Sequence, residues 1–338
     1  MAGYAGVTLF FVLSGFVLVY TYGPVEHARI PARRFLIARV ARLYPMYLAA
    51  LVIALSEFIR RMHPGVRGVE LIGPFAAVLT SVTAPLMIQA WIPRVACAWN
   101  CPGWSLSAET FFYLAFPLLA PVLRGRSARV LVAALLGASV LALAATLLRA
   151  APPEFWGNRH ALEAFFESPF TPLHRLPEFL VGIVLGRWYL DRRLQGVPLR
   201  PVVGLSLATA AAVAVVVIAG ALEPARDDPK LTIWLLPAFS VMILGLAERG
   251  NRGVLARPIA LLLGEASYAL YLIHGPMHAY ALSVAKRISA TSLDAHPWII
   301  FAAYLGTVLV LAVLFNRYLE HPARLALRRR FARPEDLS

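Results

Sequence analysis

The sequence predicts an all-α protein that crosses a membrane many times. Three observations carry this reading. The 338-residue chain is 59% hydrophobic and only 15% charged, with a mean hydropathy of +0.69, a balance foreign to soluble domains of this length. The apolar residues gather into stretches close to the ~20 residues that a helical span needs. Lys and Arg fall in short clusters between those stretches, as in membrane proteins whose cytoplasmic loops are basic.

Taken in order, the apolar segments lie at about 5–22, 37–59, 74–92, 105–123, 129–149, 176–190, 202–221, 231–247, 259–285 and 298–318, with Pro and Gly at their ends. Basic clusters assign the cytoplasmic side: Arg29, Arg33, Arg34, Arg39 and Arg42 after the first segment; Arg124, Arg126 and Arg129; Arg187, Arg192, Arg193 and Arg200; Arg249, Arg252 and Arg257; and the tail with Arg324, Arg328, Arg329, Arg330 and Arg333. Loops 150–175 and 222–230 are balanced or acidic and belong outside. If every segment crossed, residues 124–129 would also fall outside, against their charge. The conflict disappears if 74–92 enters and leaves on one side. Pro74 and Pro85 break a straight helix there, and irregular backbone is tolerated at membrane depth where protein buries it. The expected architecture is a helix bundle of about nine spans plus one re-entrant segment, with residue 1 outside and residue 338 in the cytoplasm.

The formal net charge of +14 invites a nucleic-acid reading. The clustering of the basic residues between apolar runs excludes it. No basic stretch precedes the first apolar segment, so a cleavable signal is not expected. Two cysteines, Cys97 and Cys101, are too few for a disulfide scaffold or a metal site. In an outer loop they can form one local disulfide.

Several residues can carry chemistry. Ser105, Glu109 and Tyr113 recur at i, i+4 and i+8 and share a helix face. A carboxylate in a membrane helix is costly unless it is paired or faces a polar cavity, which makes Glu109 a functional candidate. The competing reading puts Glu109 in the first turn, offsetting the helix dipole, and spacing leaves the two even. Arg39 and Arg42, at i and i+3, can grip a phosphate or pyrophosphate or merely anchor the helix. Glu178 stands just after Pro177 at an expected helix start, where the dipole again explains it. Ser14 and Gly15 read as close-packing residues. Ser267, Tyr271 and His274 form one polar stripe; His274 can be a base, a ligand or a packing residue, and no second ligand stands at metal spacing.

Assembled, the chain resembles acyltransferase family 3, the integral membrane O-acyltransferases of the O-antigen and surface-sugar acetyltransferase type. The resemblance rests on GVTLFFVLSGF at 6–16, RVARLYP at 39–45, WSLSAETFFYLAFP at 104–117, PEFLVGIVLG at 177–186, GEASYALYLIH at 264–274 and NRYLEHP at 316–322, in the family's order. It implies a bundle of about ten membrane helices and transfer of an acyl group from cytoplasmic acyl-CoA to a hydroxyl, often of a carbohydrate. It implies Arg39 and Arg42 at the phosphates of the donor, and Glu109 in the active site. The family pattern also has one more helix before the first segment, carrying an Arg and a His; without it, residues 1–323 read as an N-terminally incomplete acyltransferase domain and 324–338 as a basic cytoplasmic tail.

The expected function is therefore a membrane O-acyltransferase, its donor acetyl-CoA or another acyl-CoA, its acceptor a carbohydrate or lipid-linked sugar, with no permanently bound cofactor. His274 is the base available on a helix of this chain. Glu109 would orient or charge-balance the base, and Tyr113 and Ser105 would donate hydrogen bonds. The rivals are a transporter or flippase, which would also use intramembrane carboxylates, and a truncated, inactive acyltransferase.

Overall fold

The computed structural model describes residues 2–22, 32–63, 71–123, 168–196, 201–221, 235–249, 253–285 and 297–331, with the isolated positions Val130, Ala133, Gly137 and Val140. The expected segment 129–149, the basic turn 124–129 and most of loop 150–175 lie outside these. Among the described residues every regular element is helical. The helices are α1 (Ala2–Tyr22), α2 (Ala32–Ile53), α3 (Leu55–Met62), α4 (Pro74–Thr83), α5 (Gly103–Leu123), α6 (Pro172–Leu194), α7 (Pro201–Ala221), α8 (Leu236–Arg249), α9 (Pro258–Ala285), α10 (Pro297–Phe315) and α11 (His321–Phe331). A π-helical turn, Asn316–Glu320, joins the last two. Five helices (α4, α6, α7, α9 and α10) open on a proline, whose missing N–H costs nothing at a helix start.

Three helical stretches among the described residues are long and apolar enough to cross a bilayer: Ala5–Tyr22, Ala32–Ile53 and Trp298–Phe331. Segment 74–92 takes another form. The helix in it has 10 residues, or about 15 Å at 1.5 Å per residue, half a hydrocarbon core. After Thr83 the chain reverses through Met87, whose φ of 56° is left-handed, into 3₁₀ turns at Gln89–Trp91 and Pro93–Val95. Protein groups satisfy this irregular stretch: Tyr47 donates to Ala84 O at 2.7 Å, Gln89 Nε2 donates to Tyr47 Oη at 3.0 Å and to Gly103 O at 2.9 Å, and Ala90 N–H donates to Ser107 Oγ at 3.2 Å.

The chain divides into two compact units, one of residues 1–30 and 108–252, the other of 31–107 and 253–338, the division falling within α5. In the first unit α1 and α6 pack in parallel. Thr8 meets Glu178, Val12 meets Gly182 and Phe16 meets Gly186, each pair 170 residues apart. Gly182 and Gly186 form a small-xxx-small face that lets the backbones touch. A Cβ on Gly182 would collide with Val12 O, and one on Gly15 with Phe179 O. Val12, Phe16, Tyr189 and Ile243 make the adjoining core. Gly204 of α7 and Gly245 of α8 form a second close crossing.

In the second unit α2 and α9 also run in parallel. Tyr268 donates to Leu43 O at 2.7 Å, and Tyr280 to Ile53 O at 2.6 Å. Helix α10 runs opposite to α9, since Tyr304 donates to His274 O at 2.8 Å and Asn316 Nδ2 to Glu265 O at 3.1 Å. Helix α11 returns along α2, where Arg33 Nη2 donates to Phe331 O at 3.1 Å.

Candidate active site

The opening of α5 sets the position of Glu109. The helix starts at Gly103, so Glu109 lies beyond its first turn, where the dipole no longer explains it. The residue is buried. Its Oε1 accepts from Tyr113 Oη, one turn on, and from Ser14 Oγ of α1 at 3.1 Å. Hydroxyl donors offset the desolvation of a carboxyl group buried among apolar helices. Ser14, which the sequence offers as a packing residue, is thus a hydrogen-bond partner of the carboxyl group.

Glu178 departs from the sequence expectation. Helix α6 begins at Pro172, so Pro177 is internal and Glu178 is not in the first turn. It forms a buried ion pair instead: Arg175 Nη1 lies 2.8 Å from Glu178 Oε1, and Thr8 Oγ1 donates to the same oxygen at 3.0 Å. Arg175 Nε also donates to Pro169 O at 2.8 Å. Between this pair and the Glu109 cluster stands an aromatic layer. Phe11 meets Phe112 edge-on, with centroids 5.2 Å apart, and Phe112 stacks on Phe179 at 4.7 Å.

Ser105 stands on α5 one turn before Glu109, and its hydroxyl is bonded within the second unit. Its Oγ lies 2.9 Å from Tyr271 Oη, and both hydroxyls approach Pro102 O, at 3.0 and 3.1 Å. The stripe on α9 holds together. Ser267, Tyr271 and His274 line one cavity of about 400 Å³ with Leu270, Tyr304, Leu305 and Val308. His274 Nδ1 lies 2.6 Å from Tyr271 O. A carbonyl only accepts, so Nδ1 carries a proton, and in the neutral ring the lone pair is then on Nε2, the tautomer a general base needs.

The loop before α5 supports that stripe. Cys97 and Cys101 are joined in a disulfide, and Asn100 Nδ2 donates to Leu272 O at 3.1 Å. Arg61 Nη1 donates to Cys97 O at 3.2 Å and to Ala98 O at 3.0 Å. Trp99 stacks on Phe58 at 4.6 Å and donates to Leu51 O. Nothing in the spacing of Asn100, Trp99 or Arg61 marks them, because each acts across a long sequence gap.

Arg39 and Arg42 sit on α2, Arg39 partly buried with its guanidinium 5.5 Å from the Phe35 ring and Arg42 exposed. The acyltransferase domain model matches residues 1–317. The chain belongs to acyltransferase family 3. Curated relatives include the acyltransferase MdmB of Streptomyces mycarofaciens, 30% identical over 97% of this chain and 82% of that protein. Another is the exopolysaccharide production protein ExoZ of Rhizobium meliloti, 27% identical over 91% of this chain and 86% of that protein. No solved structure matches the chain. Membership makes the protein a transferase and an integral membrane protein, and removes the transporter reading.

Proposed function

We propose that this acyltransferase moves an acyl group, acetyl in the first instance, from cytoplasmic acyl-CoA to a hydroxyl of a carbohydrate or lipid-linked sugar outside a bacterial inner membrane. The observation that carries the reading is the buried Glu109, held by Ser14 and Tyr113 in the family's Trp-Ser-Leu segment. A buried carboxyl group with that support serves chemistry better than folding. The relative named for exopolysaccharide production favours a sugar acceptor.

In the reaction the acceptor hydroxyl attacks the thioester carbonyl and gives its proton to a base. The tetrahedral oxyanion then collapses, the ester forms, and coenzyme A leaves as thiolate and takes the proton back. His274 Nε2 is assigned the base, and Tyr271, Tyr304 and Ser267 line its cavity. Glu109 is an active-site carboxylate with Tyr113 as its donor. Ser105 acts on the other side of the division, through Tyr271. Arg39 and Arg42 bind the phosphates of the donor by charge-assisted bonds.

Nine spans with 74–92 re-entrant, residue 1 outside and residue 338 in the cytoplasm, are proposed on two packings. Six apolar segments separate α2 from α9, and four separate α1 from α6. If all crossed, each pair would be antiparallel; both pairs pack in parallel. One non-crossing segment shared by the two intervals resolves both, and ten-residue α4 is too short to cross.

Transfer of labelled acetyl from acetyl-CoA in membranes tests the chemistry. Glu109→Gln and His274→Gln should each lower the rate by two or more orders of magnitude. An unchanged rate in Glu109→Gln would leave that carboxyl a structural role, and an unchanged rate in His274→Gln would remove the base assignment.

A further inference from the structure

The sequence marks 324–338 as a tail, yet its first half is structured. Asn316–Glu320 forms a π-helical turn, a rare feature that recurs at functional sites, and α11 continues from it. Glu320 is buried at 4% exposure, although it stands at the end of a hydrophobic helix beside a basic stretch. Asn316 Nδ2 reaches Glu320 Oε2 at 3.3 Å while also donating to Glu265 O. Arg324, one turn beyond Glu320, shares its helix face. Helix α2 packs on both the π turn and α11, and Arg42 and Arg324 both act electrostatically on the Glu320 carboxyl group, as does Glu265. Arg39 is one turn before Arg42 on α2. Three guanidinium groups and two carboxyl groups therefore gather where α2, α9 and the π turn meet. Arg317 in the π turn adds a further cation, and only Glu320 among these groups is buried.

We propose that Arg324 is a third phosphate-binding guanidinium of the donor site, and that Glu320 positions Arg42 and Arg324 for it. The proposal rests on the reading of Arg39 and Arg42 as donor-phosphate residues. The charge of Glu320 attracts both guanidinium groups to this junction, so less side-chain freedom is lost when a diphosphate arrives. The cationic excess then remains for the ligand.

Calorimetric titration of the full chain in detergent with coenzyme A tests it, with the melting temperature of each ligand-free variant measured alongside. Arg324→Ala and Arg42→Ala should each weaken binding by roughly tenfold or more, the loss typical of one charged hydrogen-bonded group, without lowering the melting temperature. Glu320→Gln should weaken binding several-fold through both arginines. In the double variant Glu320→Gln, Arg324→Ala the losses should be less than additive, a coupling that a merely structural Glu320 would not show. Parental affinity in Arg324→Ala with weakened affinity in Arg42→Ala would overturn the proposal and leave the donor reading standing. Parental affinity in Arg42→Ala and Arg39→Ala would remove the donor reading, and this proposal with it. If Glu320→Gln melts early, the half-buried Arg324 still decides.

Discussion

At the residue scale two of the buried carboxyl groups of the first unit, Glu109 and Glu178, divide the labour between chemistry and folding. Glu109 accepts from the Ser14 and Tyr113 hydroxyls, whereas Glu178 is locked to Arg175. The Arg175 and Glu178 side chains are 2% and 8% exposed, and Glu178 Oε2 is buried without a hydrogen-bond partner among the described residues. Removing one member leaves an uncompensated charge, at a cost of about 3–5 kcal/mol. Arg175→Met should therefore lower the melting temperature in detergent sharply, and Arg175→Met with Glu178→Leu should recover much of it. A parental melting temperature in the single variant would show that the pair is dispensable. Glu109 was legible because its i, i+4 partner Tyr113 stands beside it in sequence. Glu178 was misplaced because Pro177 looks like a first-turn proline, while the real first-turn proline is Pro172. Thr8 and Ser14 were not legible as ligands. A hydroxyl on an apolar helix looks like packing until the carboxyl group 170 or 95 residues away is brought against it.

At the scale of elements the glycines fall into two kinds that composition does not separate. Gly182 and Gly15 lie where the α1 and α6 backbones meet, so an added methyl group must displace main chain. Gly264, in the helical interior of α9, has nothing within 4 Å of its would-be Cβ. Gly182→Ala should destabilise the protein by about 1–3 kcal/mol or more, through overpacking. Gly264→Ala should be neutral or stabilise it by up to about 1 kcal/mol, the helix-propensity gain of Ala over Gly. The two melting temperatures, measured side by side in detergent, check this; equal shifts would mean that the α1–α6 contact is not tight. Ser14 and Gly15 made the α1 face legible as a close-packing surface. Its partner and direction were not, because parallel packing of helices so far apart depends on how many segments cross between them.

At the scale of the whole molecule, that count fixes which residues meet the donor and which the acceptor. Charge in the loops and the parallel pairing of α1 with α6 and α2 with α9 lead to one non-crossing segment by separate routes, one electrostatic and one steric. Residues on the two flanks of 74–92 must then share a side of the membrane. His63 follows α3 and Arg94 precedes the disulfide loop, and both are exposed. The native cysteines are paired and do not react with maleimides. His63→Cys and Arg94→Cys, introduced singly, should both be labelled by a membrane-impermeant maleimide added to intact cells. Arg330→Cys on α11 should be labelled only after permeabilisation. Labelling of one of the first two but not the other would make 74–92 a true crossing. It would place the start of α5 in the cytoplasm and require a different segment to stay on one side, since the parallel packing of α2 and α9 still demands one.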